Sequence, residues 1–302
     1  MNYGPLVFLA AFFAFAGSWF GFVLTPQLQI GQLQQTNTIP AGEIYPVGRP
    51  GLAHEGLEVY RAYGCAACHS QQPVQTGTVC DVILNDAGTN QPALIAALRT
   101  LNPDWSEEQA KEWLTKLPKP VRAGVDREEA DAALKAVSVG GAKAALWIVP
   151  VGPDIARGWA KRRTVAYDYL YDYPVMLGSQ RIGPDLVNIG LRLPDANWHL
   201  RHLYAPRLEV KDSTMAPSRF LFEKRKIERV ASPDALALSG EFAPPPGFEI
   251  VPKQEAKALV AYLLSLRADA PLYAAPLTVP APVSPATNAP AATNTTATPS
   301  AK

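Results

Sequence analysis

The hydrophobic pattern divides the chain into segments of different kinds. From Pro5 to Leu24 the string PLVFLAAFFAFAGSWFGFVL is apolar and uncharged, and about 20 such residues suffice for a helix to cross a hydrocarbon core. Trp19 and Phe20 near its far end suit an interfacial belt. A cleaved signal peptide is the rival reading. It needs a basic start, a shorter apolar core and a small-residue cleavage site, none of which is clear here, so an uncleaved anchor is expected. In GLAHEGLEVYRAYG, the residues Leu52, Gly56, Val59, Tyr60 and Tyr63 recur at helical spacing and predict one apolar face. VPKQEAKALVAYLLSL predicts another helix, with Pro252 in its first turn and Ala256, Leu259, Val260, Leu263 and Leu264 at helical spacing. Gly56 has no side chain, so an aromatic such as Tyr262 has room to cross close against it.

Between Val79 and Pro150 the periodicity changes repeatedly. Val79 to Leu84 alternates like a strand, and Gln91 to Leu101 places Leu94, Ile95, Leu98 and Leu101 at helical spacing. Ser106, with Glu107 and Gln109 behind it, opens a second helix as a capping box, ending near Leu117 and Pro118. VDREEADAALKAV predicts a third helix capped by Asp126, with acids in its first turn. Gly140 and Gly141 stop it, and KAALWIV ends the region as a strand. The predicted order is strand, helix, helix, short segment, helix, strand. After Ala270 the chain becomes rich in Pro, Ala and Thr and cannot bury enough apolar surface to offset the entropy of ordering, so a disordered tail is expected.

Length and charge add limits. A chain of 302 residues leaves room for more than one compact unit. Lys plus Arg is 28 against 27 for Asp plus Glu, so no global field draws the chain to nucleic acid. No Lys or Arg precedes Arg49, which leaves the positive-inside rule nothing to count.

The candidate chemistry lies in YRAYGCAACHSQQ, where Cys65, Cys68 and His69 form C-x-x-C-H. In this motif both thiols add to the haem vinyl groups and the adjacent histidine binds iron. A zinc half-site would need further Cys or His at ligand spacing, and Cys80, His54, His199 and His202 form no such pattern. A redox dithiol belongs after a strand in a thioredoxin-like unit, whereas this run reads as helical. One motif implies one covalent haem c. Attachment happens outside the cytoplasm, which places the body of the protein on the periplasmic side. The thioethers available as sixth ligand are Met1, Met176 and Met215. Met176 suits core packing as well as ligation. Met215 is favoured, because Ala216 and Pro217 behind it keep the backbone extended. His199 or His202 is the main rival. Cys80, on the first strand of the 79–150 region, reads as a buried free thiol.

Two resemblances follow from longer strings. EGLEVYRAYGCAACHSQQ, followed by YDYPVMLGSQRIGPDLVNIGLRLPDANWHLRHLYAPRLEVKDSTMAPSRFLF, resembles the membrane-anchored mono-haem cytochrome c subunit (subunit II) of C-type, or cbb-three, haem-copper oxidases. The resemblance implies His69 as proximal and Met215 as distal iron ligand, Pro184 as the carbonyl that receives the imidazole proton of His69, and Arg181 as a candidate partner for a haem propionate, with an ion pair as the alternative. It puts Trp198, His199 and His202 in packing, propionate or partner contacts. In that family the haem motif is soon followed by the tyrosine-containing segment, whereas here about 80 residues intervene, far more than a loop normally holds. The extra region resembles the C-terminal domain of the bacterial ribosomal stalk protein, large-subunit protein seven/twelve, through CDVILNDAG, IAALR, EEQAKEWLTKLPKPVRAGVDREEADAALKAV and GGAKAAL. Asn102, Pro103 and Trp105 stand where that family has small residues, so binding of translation factors is not carried over, and a stabilising or interaction module is expected.

These readings combine into a mainly α chain: a transmembrane anchor at 1–26, a linker at 27–48, a discontinuous cytochrome c fold at 49–78 and 151–270, an inserted α+β domain at 79–150 and a tail at 271–302. The function implied is relay of single electrons to the catalytic subunit of a terminal haem-copper oxidase, in a single-pass protein of a prokaryotic inner membrane. Partners would be that subunit, a further cytochrome c subunit, a soluble or tethered cytochrome c donor and the bilayer. No oxygen reduction is expected from this chain alone. The alternatives are a free-standing anchored electron carrier, the cytochrome subunit of a nitric oxide reductase, and a haem sensor or peroxidase with an open sixth position.

Overall fold

The computed structural model describes residues 3–31 and 45–270. The tail expected at 271–302 and most of the linker lie outside the described residues. Helix α1 runs Gly4–Trp19 and continues through a π turn at Phe20–Leu24 into Thr25–Ile30, long and apolar enough over Gly4–Gln29 to cross a membrane. Beyond it, the described chain falls into two compact units, one reaching Val79 and resuming at Ile148, the other Cys80–Trp147.

The first unit is organised by helices α2 (Leu52–Ala62) and, near the end of the chain, α7 (Gln254–Ser265). They cross where Gly56 lies so close to α7 that an added Cβ would meet the Ala258 carbonyl and come within 2.7 Å of Tyr262 Cβ. The Tyr60 and Tyr262 rings then meet at 5.3 Å. The buried face of α2 is Gly56, Leu57 and Tyr60, whereas Leu52 and Tyr63 of the predicted stripe are exposed. The buried face is the one that carries Gly56 and Tyr60 against α7. Pro252 is not in the first turn of α7 either: it closes strand β5, and Lys253 is the cap.

The second unit holds most of strand β1 (Gly77–Asp86), helices α3 (Gln91–Leu101) and α4 (Glu107–Leu114), strand β2 (Lys119–Val125), helix α5 (Arg127–Val137) and the first part of strand β3 (Lys143–Val151). Its caps are the predicted ones. Ser106 Oγ accepts from Gln109 N at 3.2 Å while Gln109 Oε1 accepts from Ser106 N at 2.8 Å, and Asp126 accepts from Glu129 N at 2.8 Å. Cys80, Val82 and Leu84 alternate into its core. The segment between α4 and α5 is strand β2, antiparallel to β1 in the sheet order β2-β1-β3. Pro120 and Gly124 hide it from a pattern reading, and both are tolerated because β2 is an edge strand.

Back in the first unit, a short helix α6 (Ala196–Tyr204) precedes a two-stranded antiparallel sheet of β4 (Phe222–Lys226) and β5 (Phe248–Pro252). With these strands the chain is mixed α and β, which corrects the expectation of a mainly α protein. Leu186, Ile189, Leu203, Leu221 and Ile250 join the α2–α7 core.

One buried ion pair in the first unit gathers segments far apart in sequence. Arg162 donates to both carboxylate oxygens of Asp168 at 2.8 Å and to the Ala270 carbonyl at 2.8 Å, while Tyr45 donates to Asp168 from the other side. Burial opposes the charge on Asp168, but Arg162 and Tyr45 prevail and hold its carboxyl below the ordinary range.

Candidate haem site

The C-x-x-C-H motif starts one residue past the left-handed Gly64 that ends α2, on a single 3₁₀ turn at Cys65–Ala67. Cys65 is half-buried against the α2–α7 core, Cys68 is exposed, and neither thiol is paired. Burial pushes the Cys65 thiol up to about 11, so it is a neutral thiol at pH 7.

From Ala66 to Gln72 the chain runs beside the loop 177–187 through a series of backbone bonds. Ser179 N–H donates to the Ala66 carbonyl at 2.9 Å, Gly183 N–H to Cys68 at 2.8 Å, Gln71 N–H to Leu177 at 2.9 Å, and Leu186 N–H to Ser70 at 2.8 Å. This pairing sets His69 against the Gly183–Pro184 turn. Its Nδ1 lies 2.9 Å from the Pro184 carbonyl, so Nδ1 carries the proton and Nε2 is left as the free, lone-pair nitrogen. Gly183 closes the other side: a Cβ there would lie 2.6 Å from Nδ1 and 3.0 Å from Nε2. The imidazole is thus oriented by a hydrogen bond and wedged by bare backbone.

Met176 and Met215 both pack, partly buried, on the same apolar cluster as Cys65, so packing does not choose between them. Met215 N–H bonds to Ser213 Oγ at 3.3 Å, which holds the loop locally. His199 is buried, with Nε2 at 2.8 Å from the Leu193 carbonyl. His202 stacks on Trp198 at 4.7 Å and 10°, with a buried Nδ1 that finds no hydrogen-bond partner among the described residues. Burial pushes both imidazoles below the usual histidine range, which favours neutral rings. Arg181 is paired with Asp154 and stands 3.9 Å from Asp185. Asp154 is 1 % exposed and also accepts from Val74 N–H at 2.6 Å.

These residues suit a haem. Two free thiols stand one turn apart, and a histidine has its proton already directed at a carbonyl. Apolar side chains and two thioethers share the cluster on which Cys65 rests.

Comparison with known proteins agrees in part. Residues 161–243 match the family described as cytochrome c oxidase, mono-heme subunit/FixO. That segment carries the domain of the mono-haem cytochrome oxidase subunits. The family carries one haem and is a subunit of a cytochrome c oxidase complex. The match includes Pro184, Arg181 and Met215 but not the C-x-x-C-H turn. Residues 80–146 match the ribosomal protein L7/L12 C-terminal domain. Over that region the chain is similar to the large ribosomal subunit protein bL12 of Chloroflexus aurantiacus, 41% identical over 70 residues, which are 23% of this chain and 52% of the relative. It is 34% identical to bL12 of Pseudoalteromonas translucida over 89 residues, 30% of this chain and 73% of that protein. The chain spans about half the length of the first of these relatives.

Sequence reasoning named His69, Pro184, Arg181 and Met215 but passed over Gly183, Ser70, Asp185 and Asp154. The string RIGPDL contains two of these, and the glycine before the proline was the available signal.

Proposed function

We propose that the subunit relays single electrons to the catalytic subunit of a C-type haem-copper oxidase, through one haem held covalently by Cys65 and Cys68. His69 would be the proximal ligand through Nε2 and Met215 the distal one, and the haem would supply a one-electron couple. The observation that carries this reading is the His69 Nδ1 to Pro184 carbonyl bond of 2.9 Å. A hydrogen bond of this kind fixes tautomer and ring direction and raises the basicity of the ligating nitrogen. Arg181 bonds to Asp154 in the described structure, and a propionate would have to share it with that carboxylate.

In this proposal α1 anchors the protein in a prokaryotic inner membrane, with a cytochrome c domain split between 49–78 and 151–270 on the periplasmic side. It receives electrons from a soluble or tethered cytochrome c and sits beside a further cytochrome c subunit. The 79–150 region is an inserted module with no role in binding the haem. The test is the oxidised absorption spectrum of the purified protein. A low-spin haem with a sulfur-to-iron band that disappears in Met215→Ala is expected, and a high-spin wild type would refute the ligand set. Co-purification with a many-helix haem-copper subunit separates this role from that of a free-standing carrier.

A further inference from the structure

Asp185 follows the residue whose carbonyl receives the His69 proton, and it is completely buried. Its Oδ2 accepts from Ser70 Oγ–H at 2.7 Å and from Gln72 N–H at 2.8 Å, and its Oδ1 accepts from Val187 N–H at 2.9 Å. Ser70 is the neighbour of His69 in sequence, and Val187 lies on the Pro184 side. The carboxylate therefore ties the segment that carries the imidazole to the loop that presents its acceptor. Arg181 stands 3.9 Å from Oδ2, and Arg192 donates to the Asp185 backbone carbonyl at 2.6 Å, which leaves the carboxylate oxygens to the three donors.

Three donors and no acceptor converge on these oxygens, a pattern that calls for an ionised carboxylate. An asparagine of the same shape would turn an NH₂ group towards at least one N–H or O–H, and a buried donor left facing a donor is expensive. The backbone bonds from Gly183 N–H to Cys68 and from Leu186 N–H to Ser70 set the register of the two segments. They leave the separation between His69 and Pro184 to be fixed by what joins Ser70 to Asp185.

We propose that Asp185 is a positioning residue for the proximal imidazole, holding the Pro184 carbonyl at hydrogen-bond distance from His69 through Ser70, Gln72 and Val187. The proposal rests on the haem reading above. A slackened Pro184 acceptor leaves Nε2 less basic, and a less basic ligand supports the oxidised state less. In Ser70→Ala, which leaves the Asp185 charge in place, the reduction potential therefore reports the position of the carbonyl, and in Asp185→Asn the amide exchange does so beside it.

The experiment uses the full-length protein purified from membranes, as wild type, Asp185→Asn and Ser70→Ala. The potential is measured by redox titration of the optical spectrum, and the exchange of the Gln72 and Val187 amides by hydrogen–deuterium exchange. In Asp185→Asn the reduced-to-oxidised ratio at the wild-type midpoint should rise at least threefold, about 28 mV for a one-electron couple, with faster exchange at both amides. Ser70→Ala should move the ratio in the same direction by less. Asp185→Asn carrying covalent haem at the wild-type potential, with unchanged exchange, overturns the proposal. If Asp185→Asn does not accumulate, the potential of Ser70→Ala decides on the same criterion. A wild type without covalent haem refutes the haem reading itself, an outcome recognisable before any variant is measured.

Discussion

Substituting Gly183 by alanine tests the proximal geometry with the smallest possible change. The backbone at Gly183 lies outside the left-handed region, so alanine brings no conformational strain and acts only through its methyl group. That carbon would stand 2.6 Å from His69 Nδ1, whereas non-bonded heavy atoms settle at roughly 3.5 Å. Cε1 of the ring stands nearer still to that carbon, so the ring must retreat by about 1 Å or more from the turn. Starting from 2.9 Å to the Pro184 carbonyl, such a retreat leaves about 4 Å, beyond the range of a hydrogen bond. The bond contributes about 1 kcal/mol, and overpacking at a filled site costs about 1–3 kcal/mol more, for a total of roughly 2–4 kcal/mol. If the whole hydrogen-bond term differed between the oxidation states, the potential would rise by about 40 mV, since tenfold is 59 mV for one electron. The assay is a redox titration beside a thermal melt. A variant with haem attached, the wild-type melting temperature and a potential within about 10 mV of wild type would refute the wedge.

Two other perturbations probe the frame that carries the site. In Arg162→Met, Asp168 keeps Tyr45 and the Val165 N–H but loses the guanidinium, so burial takes over and its carboxyl moves above the ordinary range. The wild-type carboxyl is held low, so its contribution is complete above the ordinary carboxylate range and fades as pH falls through the folded value. The variant is therefore expected to lose about 3 kcal/mol at pH 7 and distinctly less at about pH 5, where Asp168 can take a proton; an equal loss in urea denaturation at both pH values would show that the buried pair is not the cause. Gly56→Ala sets a methyl group into the Ala258 carbonyl and 2.7 Å from Tyr262 Cβ, and should cost about 3 kcal/mol or more, read as a lower urea midpoint and a smaller yield of haem-loaded protein. A neutral result would mean that α2 and α7 do not cross there.

Much of the site was legible because its signals are local. C-x-x-C-H lies within five residues, the caps at Ser106 and Asp126 need three, and the Gly56–Tyr262 crossing followed from one missing side chain in one of two periodic helices. The assignment of Pro184 came from resemblance, and its position opposite His69 depends on residues 115 apart in sequence. Asp154, Asp185 and Arg162 were missed because a buried charge reads like any surface charge until its partners are known. Strand β2 was missed because Pro120 and Gly124 argue against a strand unless it is known to lie at a sheet edge. The β4–β5 pair was missed because four of the five residues of β4 face solvent and show no alternation to detect.

The root of the 79–150 region has a consequence for how such a chain can arise. Thr76 N–H donates to the Val151 carbonyl at 2.9 Å, and Gly152 passes so close to the chain at Val74 that a Cβ there would come within 2.6 Å of the Val74 carbonyl. The host enters and leaves the excursion at nearly one point in space. A span of more than 70 residues then has the topology of a tight turn, and the loop-closure entropy it imposes is met by the folding of the inserted segment itself. Such a root can accept or release an entire folding unit without re-registering either segment beside it. A chain in which Thr76 is joined to Val151 through a short glycine-containing turn should therefore retain the fold of the first unit.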